Sequence, residues 1–92
     1  MTVTVVFRRD ENNRVNTFIY QDSPEFRNYG DYADLAPHEV LELLTRLGTN
    51  QQASEHILEL VLQQRPTFQR RQFHLSVAQE AQVRQQFFPG QW

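Results

Sequence analysis

The chain has 92 residues, 39% of them hydrophobic, and carries a formal net charge of -2 with no cysteine. A chain of this length forms one domain, residues 1–92, because domains cluster at about 100 to 150 residues. The lack of cysteine excludes disulfides, thiolate zinc sites and cysteine nucleophiles, and it favours a reducing cytoplasm. Because no apolar run approaches about 18 residues, we expect a soluble cytoplasmic protein without a membrane partner.

The charge is unevenly distributed along the chain. Residues 1–64 sum to -5 and residues 65–92 to +3, and all nine basic residues are arginine. One explanation is that the acidic body and the basic end pair within the fold or across a dimer. The other is that Arg65, Arg70, Arg71 and His74 bind phosphates.

The first 21 residues predict a β-hairpin. Residues 2–9 and 14–21 are rich in β-branched and aromatic residues, and they flank a polar turn at residues 10–13. Alternation places Val3, Val5 and Phe7 on one face of the first strand. Val6 of the first strand and Phe18 of the second lie on the opposite faces of their strands. A sheet that is apolar on both sides is either covered twice or leaves a patch for a partner.

Residues 22–36 combine acidic and aromatic side chains. Ser23 as N-cap, Pro24 as first helical residue and Gly30 after the end predict a short helical turn. The segment carries the aromatics Phe26, Tyr29 and Tyr32. An acidic loop with aromatic rings suits an arginine-rich partner surface, and the alternative is that the rings cap the core.

Two helices follow, over residues 37–47 and from Thr49 to about residue 64. Apolar residues at helical spacing and Gly48 just past the end define the first helix. Thr49 and Gln52 form a capping-box pattern for the second, and Pro66 prevents its extension. Its apolar arc spans roughly 200°, wider than one-sided packing needs, so we expect burial by sheet plus helix or by a second subunit.

The last third predicts a strand over residues 67–75, a helix over 76–88 and a tail over 89–92. Ser76 and Gln79 form a second capping-box pattern. The predicted fold is therefore α+β in the order β-β-α-α-β-α, a three-stranded, mainly antiparallel sheet with helices on one face. Phe87, Phe88 and Trp92 lie close together at the end of the chain. Such apolar area must dock on the hairpin, on a dimer mate or on another protein.

Catalytic and metal sites are not indicated. The three serines lie at or near predicted helix starts without a glycine-flanked elbow, and the three glycines are too scattered for a phosphate-binding loop. His38 with Glu42, and His56 with Glu59, give only two ligands each. We therefore expect no enzymatic activity, no metal and no cofactor.

Residues 44–58 read LTRLGTNQQASEHIL and resemble the helix-turn-helix segment of repressor-like DNA-binding proteins. The resemblance implies that the second helix enters the major groove. It implies that Gln51, Gln52, Glu55 and His56 are the base-reading positions. A DNA-binding protein of this kind would place Arg65, Arg70 and Arg71 on phosphates. The segment departs from the family pattern at Leu44 and Ser54, and residues 37–64 sum to -3. A plain antiparallel helix pair with a glycine turn is the alternative.

The function that these features predict is a non-catalytic protein-interaction module, such as a small regulator, inhibitor or assembly factor. Its partner is another protein or a second copy of the chain in a homodimer. A DNA-binding regulator that uses residues 44–58 is the alternative. The predicted partner surface combines aromatic and arginine side chains: Phe26, Tyr29, Tyr32, Phe87, Phe88 and Trp92 with Arg70, Arg71 and Arg84.

Overall fold

Four antiparallel strands form one sheet in the computed structural model, which describes residues 2–21, 30–63 and 68–89. The strands are β1 (Thr2–Arg9), β2 (Val15–Gln21), β3 (Asp31–Leu35) and β4 (Gln69–His74), in the spatial order β3-β2-β1-β4. The helices are α1 (Pro37–Arg46), α2 (Gln51–Gln63) and α3 (Val77–Phe87). The predicted α+β class with an antiparallel sheet is confirmed, and the sheet has one strand more than predicted.

The β1–β2 hairpin turns through residues 10–14. The Asp10 carboxylate accepts hydrogen bonds from the backbone N–H groups of Asn12 at 2.8 Å and Arg14 at 3.0 Å. Asn13 adopts a φ of 60°, a left-handed conformation that asparagine tolerates better than most residues. The predicted polar turn is thus stabilised by the Asp10 side chain, which accepts from two backbone N–H groups, and by the left-handed conformation of Asn13.

Strand β3 is the strand that the sequence analysis missed. It pairs with β2 so that Val15 lies opposite Leu35 and Thr17 opposite Ala33. The predicted helical turn that starts at Ser23 falls mainly on residues 22–29, which lie outside the described residues, and Gly30 precedes the strand directly. The three-stranded sheet of the prediction is therefore corrected to four strands.

A glycine turn connects α1 to α2 and ends α1 in a Schellman motif. Gly48 has a φ of +96°, its N–H donates to the Thr45 carbonyl at 3.0 Å, and the Thr49 N–H donates to the Leu44 carbonyl at 3.0 Å. The N-cap of α2 is Asn50, one residue later than predicted, because its side-chain oxygen accepts from the Ala53 N–H at 2.8 Å.

The C-terminal part matches the prediction closely. Strand β4 pairs antiparallel with β1, with Thr2 opposite His74, so the first strand of the chain lies inside the sheet. The Ser76–Gln79 capping box is present in both directions, at 3.1 Å and 2.9 Å. It starts α3 directly after the strand.

All three helices contribute to one core on a single face of the sheet. The strand residues in this core alternate along β1, β2 and β3, as one-sided burial requires. Helix α2 packs against α1, β1 and β4, which confirms burial by sheet plus helix within one chain. The buried apolar residues of the core are Val3, Val5, Phe7, Val15, Ile19, Ala33, Leu35, Val40, Leu43, Leu44, Leu47, Ile57, Val61, Leu75, Val83, Phe87 and Phe88.

Candidate interaction surface

The sheet face opposite the core is the first candidate for a functional surface, and we call it the open face. Its residues follow from the strand register, because neighbours across strands point to the same side. They are Thr2, Thr4, Val6 and Arg8 of β1, Asn16, Phe18 and Tyr20 of β2, Tyr32 and Asp34 of β3, and Arg70, Gln72 and His74 of β4.

Two aromatic rings contact each other on the open face. Phe18 and Tyr32 are directly opposite across β2 and β3, and their ring centroids lie 4.9 Å apart at an angle of 55°. The two residues remain 48% and 38% exposed. Val6 lies opposite Phe18, and Arg70 lies opposite Val6. One row of side chains therefore crosses all four strands, apolar over three of them and cationic at β4.

The open face carries positive charge at its β1–β4 side. Arg8 and Arg70 are exposed, and neither guanidinium has a hydrogen-bond or ion-pair partner among the described residues. Val6 lies directly opposite Arg70, and Arg8 lies two residues along β1 from Val6. Arg8 and Arg70 are therefore diagonal neighbours, and their Cα atoms are about 7 to 8 Å apart. The carboxylate of Asp34, at the other side, accepts from Arg14 Nε at 3.0 Å. The described part of the face is therefore net positive.

Thr4 lies between Tyr20 and Gln72 in the register of the open face, yet it is fully buried. Its hydroxyl has no hydrogen-bond partner within the described residues. A buried hydroxyl without a partner destabilises a fold by about 1 to 3 kcal/mol.

The predicted partner residues separate into different environments. Tyr32 and Arg70 lie on the open face, as an exposed binding surface requires. Arg71 is half-buried on the face that the helices cover. Three further predicted residues, Phe26, Tyr29 and Trp92, lie outside the described residues.

Phe87 and Phe88 are core residues, which corrects their predicted place on a partner surface. Phe88 is 2% exposed. Helix α3 ends at Phe87. The backbone of Phe88, with φ -126° and ψ 44°, is no longer helical. Phe87 and Phe88 are consecutive, and both side chains lie in the core, as those of Leu43 and Leu44 do in α1.

Arg84 is engaged within the fold and not free for a partner. Its guanidinium forms an ion pair with Asp31 on β3, and it lies 3.2 Å from Glu80 one helical turn earlier. Gln21 also donates to both Glu80 carboxylate oxygens, at 3.1 and 3.2 Å. Asp31 and Glu80 are buried, and one Asp31 oxygen has no partner among the described residues. This cluster joins α3 to the sheet.

The α1–turn–α2 segment exposes the residues that the helix-turn-helix resemblance singled out. Gln51, Gln52 and His56 are exposed, and Gln51 donates to the acidic Glu55 at 3.3 Å. Arg65 lies outside the described residues. Because Glu55 and Glu59 are exposed on the same helix, the described surface of α2 repels phosphate.

A polar groove of about 680 Å³ lies between α1 and α3. Its walls carry hydroxyl, amide and guanidinium groups beside one apolar residue: Thr45, Arg46, Gln79, Gln82, Val83, Gln85 and Gln86. Residues 2–21, 30–63 and 68–89 hold no group of three or more His, Cys, Asp or Glu that could bind a metal. The lining of this groove therefore offers hydrogen-bonding groups.

Two residues of the open face, Arg8 and Phe18, were not predicted as partner-binding residues. Phe18 was recognised as lying on the second face of the hairpin, and its exposure depends on which face the helices cover.

The three helices of the described ranges are all too short or too polar to span a bilayer. Comparisons of the chain with protein-family models, with curated proteins and with solved structures gave no match.

Proposed function

We propose that this protein is a non-catalytic interaction module that binds another protein through the open face of its sheet. The observation that supports this proposal most directly is the exposed Phe18–Tyr32 pair beside Val6. Two arginines that have no side-chain partner among the described residues lie on the same face. Aromatic and arginine side chains are the residue types most often responsible for binding energy at protein interfaces.

The row of Tyr32, Phe18 and Val6 gives the partner a flat apolar contact. Adjacent strands lie about 4.8 Å apart, so the row spans roughly 10 Å from β3 to β1. Full burial of an aromatic side chain stabilises a complex by about 1.5 to 3 kcal/mol, and both rings are now half in water. The area left exposed is thus a source of binding energy.

The test is a comparison of the tagged wild type with two tagged variants in lysate of the source cells, with and without nuclease treatment. The Phe18→Thr, Tyr32→Thr variant removes the rings and keeps β propensity. Val77→Thr is the control, because Val77 is 70% exposed and belongs to α3 and not to a strand of the sheet. We expect the wild type and the control to retain one protein in stoichiometric amount, and the double variant to lose it.

Two results would contradict the proposal. One is the same set of retained proteins with the wild type and the double variant, when circular dichroism shows that the variant is folded. The other is a retained complex that dissolves on nuclease treatment. Sedimentation of the purified protein identifies the remaining case: a dimer that the double variant converts to monomer means that the partner is a second copy.

The DNA-binding alternative makes a different prediction. It requires salt-dependent binding to duplex DNA that is lost in a Gln51→Ala, Gln52→Ala variant. We expect no such binding, because the exposed surface of α2 is acidic.

A further inference from the structure

The charge on the open face points to the chemistry of the partner. We infer that the segment bound there has an apolar or aromatic centre with carboxylates on one side, placed to meet Arg8 and Arg70. This inference rests on the proposed function, since it describes the occupant of the same surface.

The two arginines lie at one end of the apolar row. Arg70 is directly across from Val6, and Arg8 is two residues from Val6 along β1. Two strand spacings, about 10 Å, separate Arg70 from Phe18. A segment that covers both rings therefore brings its far end over two guanidinium groups that have no carboxylate among the described residues.

Arginine is well suited to this role. Its planar fork binds a carboxylate with two parallel hydrogen bonds, and an arginine without a partner loses little on binding one. Opposite charge at this position also discriminates among partners, because a lysine or arginine of the partner would be repelled.

A nucleic-acid strand offers similar chemistry, with bases for the rings and phosphates for the arginines. Two features favour a protein segment. The chain carries -2 overall and -5 over residues 1–64, which repels a polyanion at long range. The open face also carries Asp34, and two arginines in its described part are fewer basic groups than a tracked phosphate backbone normally uses.

The experiment is selection of a random 12-residue displayed peptide library on the wild-type chain, followed by affinity measurement on three variants of the full chain. They are the Phe18→Thr, Tyr32→Thr variant, an Arg8→Glu, Arg70→Glu variant and an Arg46→Glu control, since Arg46 is exposed at the end of α1. We expect wild-type peptides enriched in Asp or Glu beside Trp, Phe or Leu. Their affinity should fall about tenfold or more in the charge-reversed variant and stay unchanged in the control.

The other outcomes overturn the inference in distinguishable ways. Peptides that need Phe18 and Tyr32 but show no acidic enrichment refute the charge argument and leave the proposed function standing. If no selected peptide depends on Phe18 and Tyr32, both are refuted. Tighter binding of a 20-residue oligothymidylate than of any peptide, lost in the charge-reversed variant, would assign the face to single-stranded nucleic acid. If the charge-reversed variant does not fold, an Arg8→Gln, Arg70→Gln variant makes the same comparison with a smaller change in charge.

Discussion

Replacing Arg84 with leucine should destabilise the fold by about 3 kcal/mol, because it leaves Asp31 and Glu80 buried without a counter-charge. The two carboxylates are 1% and 5% exposed, and Arg84 contacts both. Breaking a buried ion pair by removing one partner typically costs about 3 to 5 kcal/mol, and the partial exposure of Arg84 favours the lower end. A domain of this size is stable by roughly 5 to 14 kcal/mol, so the loss is a large share of the total.

Urea denaturation followed by circular dichroism measures this loss directly. A destabilisation of about 3 kcal/mol should also lower the Tm by roughly 12 to 24 °C in a domain of this length. Arg70→Leu is the matched control, because Arg70 is exposed without a partner among the described residues, and its free energy of unfolding should change by less than about 0.5 kcal/mol.

A second variant tests the cause of the loss. Asp31→Leu with Glu80→Gln, added to Arg84→Leu, removes both buried charges, and stability should return to within about 1 kcal/mol of the wild type. A loss below about 1 kcal/mol in the single variant would refute the assignment of a buried charge cluster. A triple variant that is no more stable than the single variant would show that packing, and not charge, causes the loss.

Three further predictions concern other parts of the fold. Phe88→Ala should lower the free energy of unfolding by about 3 to 5 kcal/mol, because Phe88 is buried in the core, and Val77→Ala at an exposed position is the control in the same urea titration. Thr4→Val should raise the free energy of unfolding by about 1 kcal/mol, since the substitution removes a buried hydroxyl without a described partner. A lower free energy of unfolding in this variant would mean that the hydroxyl has a hydrogen-bond partner in the folded protein. The hydrogen bond from the Arg14 backbone N–H holds the pKa of Asp10 below its usual value. This carboxylate therefore stabilises the fold above about pH 4, and the stabilisation is lost as the pH falls through the lowered pKa. Asp10→Asn should therefore flatten the pH dependence of stability below about pH 4, and an unchanged profile would contradict the assignment.

The elements that could be predicted from the sequence are those with local signals. The β1–β2 hairpin, the Gly48 turn and the Ser76–Gln79 cap each depend on residues within a few positions of one another. Strand β3 has no such signal, because its buried positions include Asp31 and Ala33 while Tyr32 is exposed. The burial of Asp31 depends on Arg84, 53 residues away, and no pattern within β3 indicates it.

The candidate surface was only partly predictable for the same reason. Alternation along β2 separates Phe18 from Ile19, but both faces of the hairpin carry apolar residues, so the pattern alone does not decide which face the helices cover. The end of α3 left a similar choice open. The sequence allows Phe87 and Phe88 to dock on the hairpin, on a dimer mate or on another protein, and their burial in the core depends on long-range packing that no local pattern indicates.

The central position of β1 has a consequence for how the chain folds. Its two neighbours are β2, which follows within a few residues, and β4, whose residue His74 pairs with Thr2 across 72 positions. During synthesis the first strand can form its hairpin early, but its second edge has no partner in the sheet until β4 has been made. Because long-range pairing must overcome the entropy of closing a long loop, docking of β4 is expected late in folding. Until then, the unpaired edge of the nascent hairpin is the part of the molecule most exposed to aggregation.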